Sequence, residues 1–496
     1  AILGFDFGDL TAQLTSASGV LPAYLDASVT RIVAATAGSL TLDVGTEGKG
    51  IGHYDATGNP NGLTAAIHIE KNASKTVAPD GLMWIKTADA DVLIVDEDSG
   101  NDYGERKFAL VLDPSTMALN ESNKGYFLAL AGGSKNPRGE SNASVYPGTK
   151  STTTSAEFSG SWNVTSMVTR KEDGTFYSMS ELAGTGEQTV NSKVLLEDSM
   201  IIGVVQHRSQ SGGVVDAFRN DAGGQVFAFR IDLPPSATSA RSVLLANHVS
   251  DINSSKLSSF DSDVAKLKPI GDVTALIAEA GALEGNYTDG QSGDTDFPYL
   301  SGMKALATVG EYDPTTGYSL TGYPDGQAAW LVDNDTIRVA YQSESYATMG
   351  AFGETYPWVM TSGVSFTGSH IHTIDYDRYE FAEFLSNNQP ASSMFKGSGH
   401  LFDKVYNVFG EEVLPKSQGG KWGNQTKPNG DIIEFATDMK LSDADFFFQS
   451  FCGAYYEKKN KYGPGIGFED DIWLCAEEWN IGSMFTNGYS DTAETM

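Results

Sequence analysis

Short apolar runs of six or seven residues recur along the chain, each closed by a cluster of Gly, Asp, Asn or Ser. The pattern is sharpest from Pro79, where PDGLMWIK, DVLIVDEDSGNDYGER and KFALVLD read as three strands separated by turn clusters. YFLALAG follows at Tyr126–Gly132, then a Ser/Thr/Asn/Gly-rich loop through about Ser159. Further strands are expected at WNVTSMVTR from Trp162, TFYSMS from Thr175, MIIGVVQ from Met200, QVFAFRID from Gln225 and SVLLAN from Ser242. PDGQAAWLVD and TIRVAYQSE read as a hairpin ending at Glu344, and SHIHTIDYD starts a strand at Ser369. Helical patterning is confined to GDVTALIAEAGAL, where Asp272 can serve as N-cap, and YEFAEFLS.

Strands this short, with glycine in the turns, predict an all-β chain. The recurring unit of apolar strand, acidic-Gly turn and apolar strand predicts a β-propeller with long inserted loops and a few short helices. At roughly 40–50 residues per blade the length requires sizeable insertions. A pair of β-sandwiches is the structural alternative. No low-complexity linker interrupts the pattern, so a single domain over residues 1–496 is expected, with an insertion at about 250–322.

Charge narrows the function. The net charge is −31, from 33 basic and 64 acidic residues. Nucleic acid is thereby disfavoured as a partner, since phosphate contacts need a basic footprint. The acidic excess suits cation binding and an extracellular or saline setting. No apolar run is long enough for a transmembrane segment, and Ala1 opens no signal-peptide pattern, so a mature or processed product is expected. Sequons stand at Asn72, Asn120, Asn142, Asn163, Asn253, Asn286, Asn334 and Asn424, which leans toward a secreted or cell-surface glycoprotein.

Candidate chemistry concentrates between Phe446 and Trp479, which holds both cysteines, Cys452 and Cys475, an acidic run Glu469-Asp470-Asp471 and the pair Glu477-Glu478. A thiol brought against carboxylates makes a mixed metal site; a Cys452–Cys475 disulfide beside a solvated acidic edge is the alternative. DEDSGND at Asp96–Asp102 resembles a calcium loop, or is a solvated turn. His370 and His372 share one strand face and are either joint metal ligands or internally hydrogen-bonded. Arg208, after the strand ending in His207, can pair with phosphate or cap a loop carbonyl. Neither a P-loop nor a GxSxG elbow is present, which disfavours nucleotide-dependent and serine-hydrolase chemistry.

Four pieces together resemble the PhoX-type alkaline phosphatases, secreted β-propeller enzymes that use iron and calcium to hydrolyse phosphomonoesters. They are PDGLMWI with LIVDEDSGN, IIGVVQHR, YPDGQAAWLVDNDTIRVAYQSE, and SFCGAYYE with DDIWLCAEEW. Their order is rotated relative to the family, which a closed ring tolerates. The resemblance implies Cys452 as an iron ligand and Glu477 or Glu478 as a metal-bridging carboxylate. It implies Glu344 as a calcium or iron ligand and Glu97 or Asp98 as a further acidic ligand. Glu477, Glu478 and Arg208 then carry the catalytic role on a phosphomonoester substrate. The alternative is a non-catalytic, calcium-binding extracellular structural glycoprotein on the same fold, working as a homo-oligomer or surface assembly. A calcium-dependent propeller lactonase is a third reading.

Overall fold

The computed structural model describes residues 2–6, 28–33, 41–43, 79–97, 106–120, 124–130, 156–207, 223–234, 237, 268–273, 299–344, 358–406, 412–419, 445–448, 451–461, 465–477 and 493–495. They form a mostly β structure of largely antiparallel sheets.

The first large sheet is built from β4 (Pro79–Lys86), β5 (Asp91–Glu97), β6 (Arg106–Leu112) and β7 (Lys124–Leu130), paired in that order as a meander. The short strand β3 (Thr41–Asp43) adds to β7 in parallel, while β1 (Ile2–Asp6) and β2 (Ser28–Val33) pair with each other. The second meander is β8 (Ala156–Asn163), β9 (Ile201–His207), β10 (Gly223–Ile231) and β11 (Leu300–Thr308). The third is β12 (Tyr323–Asp333), β13 (Thr336–Glu344), β16 (Ile371–Asp377) and β17 (Phe395–His400). Between β13 and β16 the chain contributes β14 (Trp358–Val359) and β15 (Ser365–Gly368), and β15 takes β18 (Phe446–Phe448) as a parallel neighbour. The last sheet is β19 (Phe451–Glu457), β20 (Ile472–Glu477) and β21 (Ala493–Thr495).

The sheets stack in sequence through their first strands. Strand β8 packs on β4 and β5, β12 on β8 and β9, and β19 on β12 and β13. This stacking explains the sequence pattern. Strands β5 and β6 are buried at every position. A strand covered on both faces loses the alternation of a half-solvated one and reads as a continuous apolar run. Polar residues caught in such strands need partners. Lys107 and Asp96, both about fully buried, form an ion pair, with Lys107 also donating to Ser161 at 2.7 Å and lying over the rings of Phe158 and Phe229. Arg378 is 1% exposed and donates to the carbonyls of Met167, Asn334 and Tyr177.

Among the described residues, helix is sparse and short: α1 (Thr165–Val168), α2 (Met179–Thr185), α3 (Glu187–Asn191) and α4 (Arg378–Glu383). Two expected strands are corrected here. WNVTSMVTR stops being strand at Asn163 and turns into α1, and TFYSMS leads into α2. The cause is legible in hindsight: Ser178 and Glu181 form a capping box, with the Ser178 hydroxyl accepting from the Glu181 N–H and the Glu181 carboxylate accepting from the Ser178 N–H at 2.7 Å. YEFAEFLS is helical as expected, over α4 and the 3-10 turn Phe384–Ser386. The expected helix from Gly271 lies outside the described residues beyond Val273; Asp272 itself accepts a 2.5 Å hydrogen bond from Ser392. Among the described residues, no helix is long and apolar enough to cross a membrane.

Candidate metal centre

The stacked first strands share one irregularity. Each carries an extra residue beside a glycine: Asp80-Gly81 in β4, Ser159-Gly160 in β8, Asp325-Gly326 in β12 and Cys452-Gly453 in β19. A bulge turns a side chain away from the plain alternation of the strand, and bulges gather beside functional sites for that reason. Here they bring acidic groups and a thiol together from strands far apart in sequence. Asp325, Glu344 and Cys452 each offer a ligand atom within 4.8 Å of the others, and so do Asp80, Glu157 and Asp325. Asp325 belongs to both groups.

Glycine is required where the strands touch. Gly326 has φ +84°, and a Cβ there would stand 2.5 Å from the Cβ of Ala454 in β19. Gly326→Ala therefore combines a left-handed backbone penalty with a steric clash against a neighbouring strand. It is expected to cost about 2 kcal/mol or more, read as a lowered urea midpoint, and to separate β12 from β19.

Asp325 is 1% exposed, Glu157, Glu344 and Cys452 are half-buried, and Asp80 is exposed, so the group opens to solvent on one side. Burial pushes the Asp325 carboxyl up to about 7, reinforced by the negative charge of Asp80. The Cys452 thiol, the Gly453 N–H at 3.2 Å and the Ser159 hydroxyl oppose that rise by hydrogen-bonding the carboxylate. The single Ser159 hydroxyl hydrogen is shared with Glu157 at 3.0 Å, and its oxygen accepts from Gln206 at 3.1 Å, which ties β8 and β9 to the same cluster. Gln342, two residues before Glu344, donates to the Phe451 carbonyl and accepts from the Trp473 indole, fastening the strand of Glu344 to that of Cys452.

A buried carboxyl held near neutral pH and facing further carboxylates is a group that a cation can occupy in place of a proton. The donor set is mixed. Asp80, Glu157 and Asp325 offer oxygen only, which suits a hard cation such as calcium. Cys452 adds a sulfur to Asp325 and Glu344, which suits a transition metal such as iron. The residues present thus fit both metals.

The two cysteines are not joined in a disulfide. Register explains it: Cys452 lies opposite Ala476 and Cys475 opposite Ala454, with the bulge at Gly453 between. Opposed residues share a sheet face, and Cys475 and Ala476 alternate along β20, so the two cysteine side chains lie on opposite faces. Cys475 enters the core with Phe451, Tyr456 and Trp473, and Cys452 turns to Asp325.

Of the expected ligands, Cys452 and Glu344 are brought together. Glu97 is not brought to them: it is buried on β5, where Arg106 grips its two oxygens at 2.5 and 2.7 Å. Asp96, expected on a calcium turn, is instead the partner of Lys107. Glu477 ends β20 opposite Phe451, with its side chain outside the described residues. Asp98, Arg208 and Glu478 lie outside them entirely. His370 and His372 are buried and belong to neither ligand group. Among the sequons, Asn120 and Asn334 are exposed, while Asn163 is half-buried and accepts from the Thr165 N–H; Asn72, Asn142, Asn253, Asn286 and Asn424 lie outside the described residues.

Asp80, Glu157 and Asp325 were missed. The signal for two of them was the tripeptide Pro-Asp-Gly, which opens both β4 and β12 and reads locally as a turn. Comparison of the chain with known protein families, with curated proteins and with solved structures finds no match.

Proposed function

We propose that the chain is a metal-dependent phosphomonoesterase of the PhoX-like kind, secreted and extracellular, with calcium and iron as its metals. The observation that carries the reading is the convergence of Asp80, Glu157, Asp325, Glu344 and Cys452 around one shared carboxylate. We also read the stacked meanders as blades of a β-propeller, because each first strand packs on the first two strands of the preceding sheet. The cluster then sits where the blades meet.

Cys452, Glu344 and Asp325 would hold the iron, and Asp325, Asp80 and Glu157 the calcium. Bound cations supply Lewis acidity toward a phosphoryl oxygen and an acidified water. The chain supplies the rest. Asp325 gives up its proton on loading, and the Gly453 N–H and Ser159 hydroxyl hold its carboxylate in one orientation. The bulged backbones keep the ligands on strands instead of loops, which limits their motion. The open side at Asp80 admits an anionic substrate only once cations have offset the carboxylate charge.

A second reading, an extracellular structural glycoprotein that binds calcium at the same carboxylates, draws on the exposed sequon asparagines Asn120 and Asn334. One experiment separates the two. Metal content is measured by elemental analysis, and phosphate release from an aryl phosphomonoester is followed before chelation, after it, and after calcium and iron are restored. Release that is lost on chelation and regained with both metals supports the enzyme. Metal-loaded protein that releases no phosphate overturns the enzyme and leaves the structural reading.

A further inference from the structure

Behind the candidate metal centre, three imidazoles are packed at the junction of two sheets. His370 and His372 flank Ile371 at the start of β16, with ring centroids 3.9 Å apart, and His400 ends β17 opposite His372. The facing sheet of β14, β15 and β18 covers them with Trp358, at 4.5 Å from His400 and 5.3 Å from His370, and with Phe366, at 5.5 Å from both. Tyr341 of β13 stacks on His372 at 4.8 Å.

Hydrogen bonding assigns the protons. His370 Nδ1 sits 2.7 Å from the Gly368 carbonyl, which only accepts, so Nδ1 carries the hydrogen and Nε2 the lone pair. His372 Nε2 accepts from the Thr321 N–H at 3.2 Å. His370 Nε2 and His400 Nδ1 are buried with no hydrogen-bond partner. Among the described residues, no anion pairs with these rings. The charges acting on His372 are those of His370 and His400. Carboxylates on the surrounding elements are engaged elsewhere: Asp445 with Ser365, Asp403 with Thr361, and Asp375 with Arg338. On β17, Lys396 donates to Thr336. Glu344 ends β13 within the metal cluster.

This junction is tied directly to two metal-centre strands. The Ser343 N–H, next to Glu344, donates to the His370 carbonyl at 2.9 Å, and the Ser369 N–H donates to the Phe448 carbonyl at 2.8 Å. Phe448 in turn packs on Phe451, at 4.7 Å between rings, directly before Cys452.

We propose that His370, His372 and His400 form an acid-operated latch between the β14–β15–β18 sheet and the third meander, which holds the Cys452–Glu344 half of the metal centre together at neutral and alkaline pH and releases it as the medium turns acidic. The proposal rests on the metal reading given above for its consequence, though not for the latch itself. Burial lowers His370 to about 3 and His400 to about 4, and lowers His372 well below the ordinary imidazole range. The closed state therefore stays neutral, and protons enter only when the junction opens and the rings regain an ordinary pKa of about 6.5. Each ring so exposed makes opening rise about tenfold for every pH unit below 6.5, and three rings together about a thousandfold.

Hydrogen exchange on the full chain tests it. Opening constants, corrected for the pH dependence of chemical exchange, are compared at pH 8.0, 6.5 and 5.5 for peptides covering 358–368 and 445–452, with β9 as the reference. The expected result is a rise of less than about tenfold from pH 8.0 to 6.5, then a further rise of about a hundredfold or more by pH 5.5 in those peptides, with bound metal lost over the second interval. His400→Gln, at the least buried of the three, is expected to lower that rise by about fivefold. Exchange that follows the reference strand, or a steepness unchanged in His400→Gln, overturns the latch. Steep opening with metal retained overturns its link to the centre. Protein that binds no metal at any pH overturns only the metal reading, since exchange reports the latch without it.

Discussion

Asp325→Asn is expected to strip the protein of bound metal at both halves of the cluster. Asp325 is the one residue common to the two ligand groups, and it is 1% exposed. An amide keeps its size and removes the anionic oxygen, so both groups lose a charged ligand together. Loss of a ligand should weaken binding by at least the ~10–100-fold seen for the residues that merely support ligands. Elemental analysis after dialysis should then find less than about a tenth of the wild-type metal. Cys452→Ser has a narrower expected effect. It replaces soft sulfur with hard oxygen in one group only, so iron should fall while calcium, which Asp80, Glu157 and Asp325 would hold, remains. Unchanged content in Asp325→Asn would show that Asp325 does not join the two groups, and equal loss of both metals in Cys452→Ser would show that they are not two separate sites.

Lys107→Met should be among the most destabilising single substitutions in the chain. Lys107 and Asp96 are buried between the first and second sheets, with side chains 1% exposed. Burial pushes Asp96 up and Lys107 down, and the charge of each is what holds the other ionised. Removing the ammonium leaves Asp96 with Ser161 and the Gly160 backbone as hydrogen-bond donors and no cation. Breaking one side of a buried pair costs about 3–5 kcal/mol, whereas replacing both partners by apolar residues of similar volume is often near neutral. Urea unfolding should therefore show a large loss in Lys107→Met and a much smaller one in Lys107→Met with Asp96→Leu. A single variant as stable as wild type would mean that the pair contributes little to the packing of β5 on β8.

Much of the strand content was legible from the chain alone. The hairpin of PDGQAAWLVD and TIRVAYQSE coincides with β12 and β13, and DVLIVDE with β5, because a run of β-branched and aromatic residues between Gly/Asp turns has few alternatives to a strand. The reading failed where a local polar signal overrode the apolar one. TFYSMS became the approach to a helix because Ser178 and Glu181 satisfy helix N–H groups that a strand would leave to a neighbour. The burial of Asp96 and Glu97 was also invisible. DVLIVDE ends in acidic residues that look like a turn, and only the neighbouring strand supplies Lys107 and Arg106 to neutralise them.

The candidate site divides in the same way. Cys452 and Glu344 could be named from the sequence because each follows an apolar strand whose surroundings resemble a known metal-binding family. Asp80, Glu157 and Asp325 could not, because what selects them is the approach of β4, β8 and β12, separated by dozens of residues in the chain. Sequence by itself determined most of the named strands, the acidic character and the chemical types available. Tertiary structure decided which carboxylates meet, since a bulge shifts a side chain by one position and its direction shows only when the partner strand is in place.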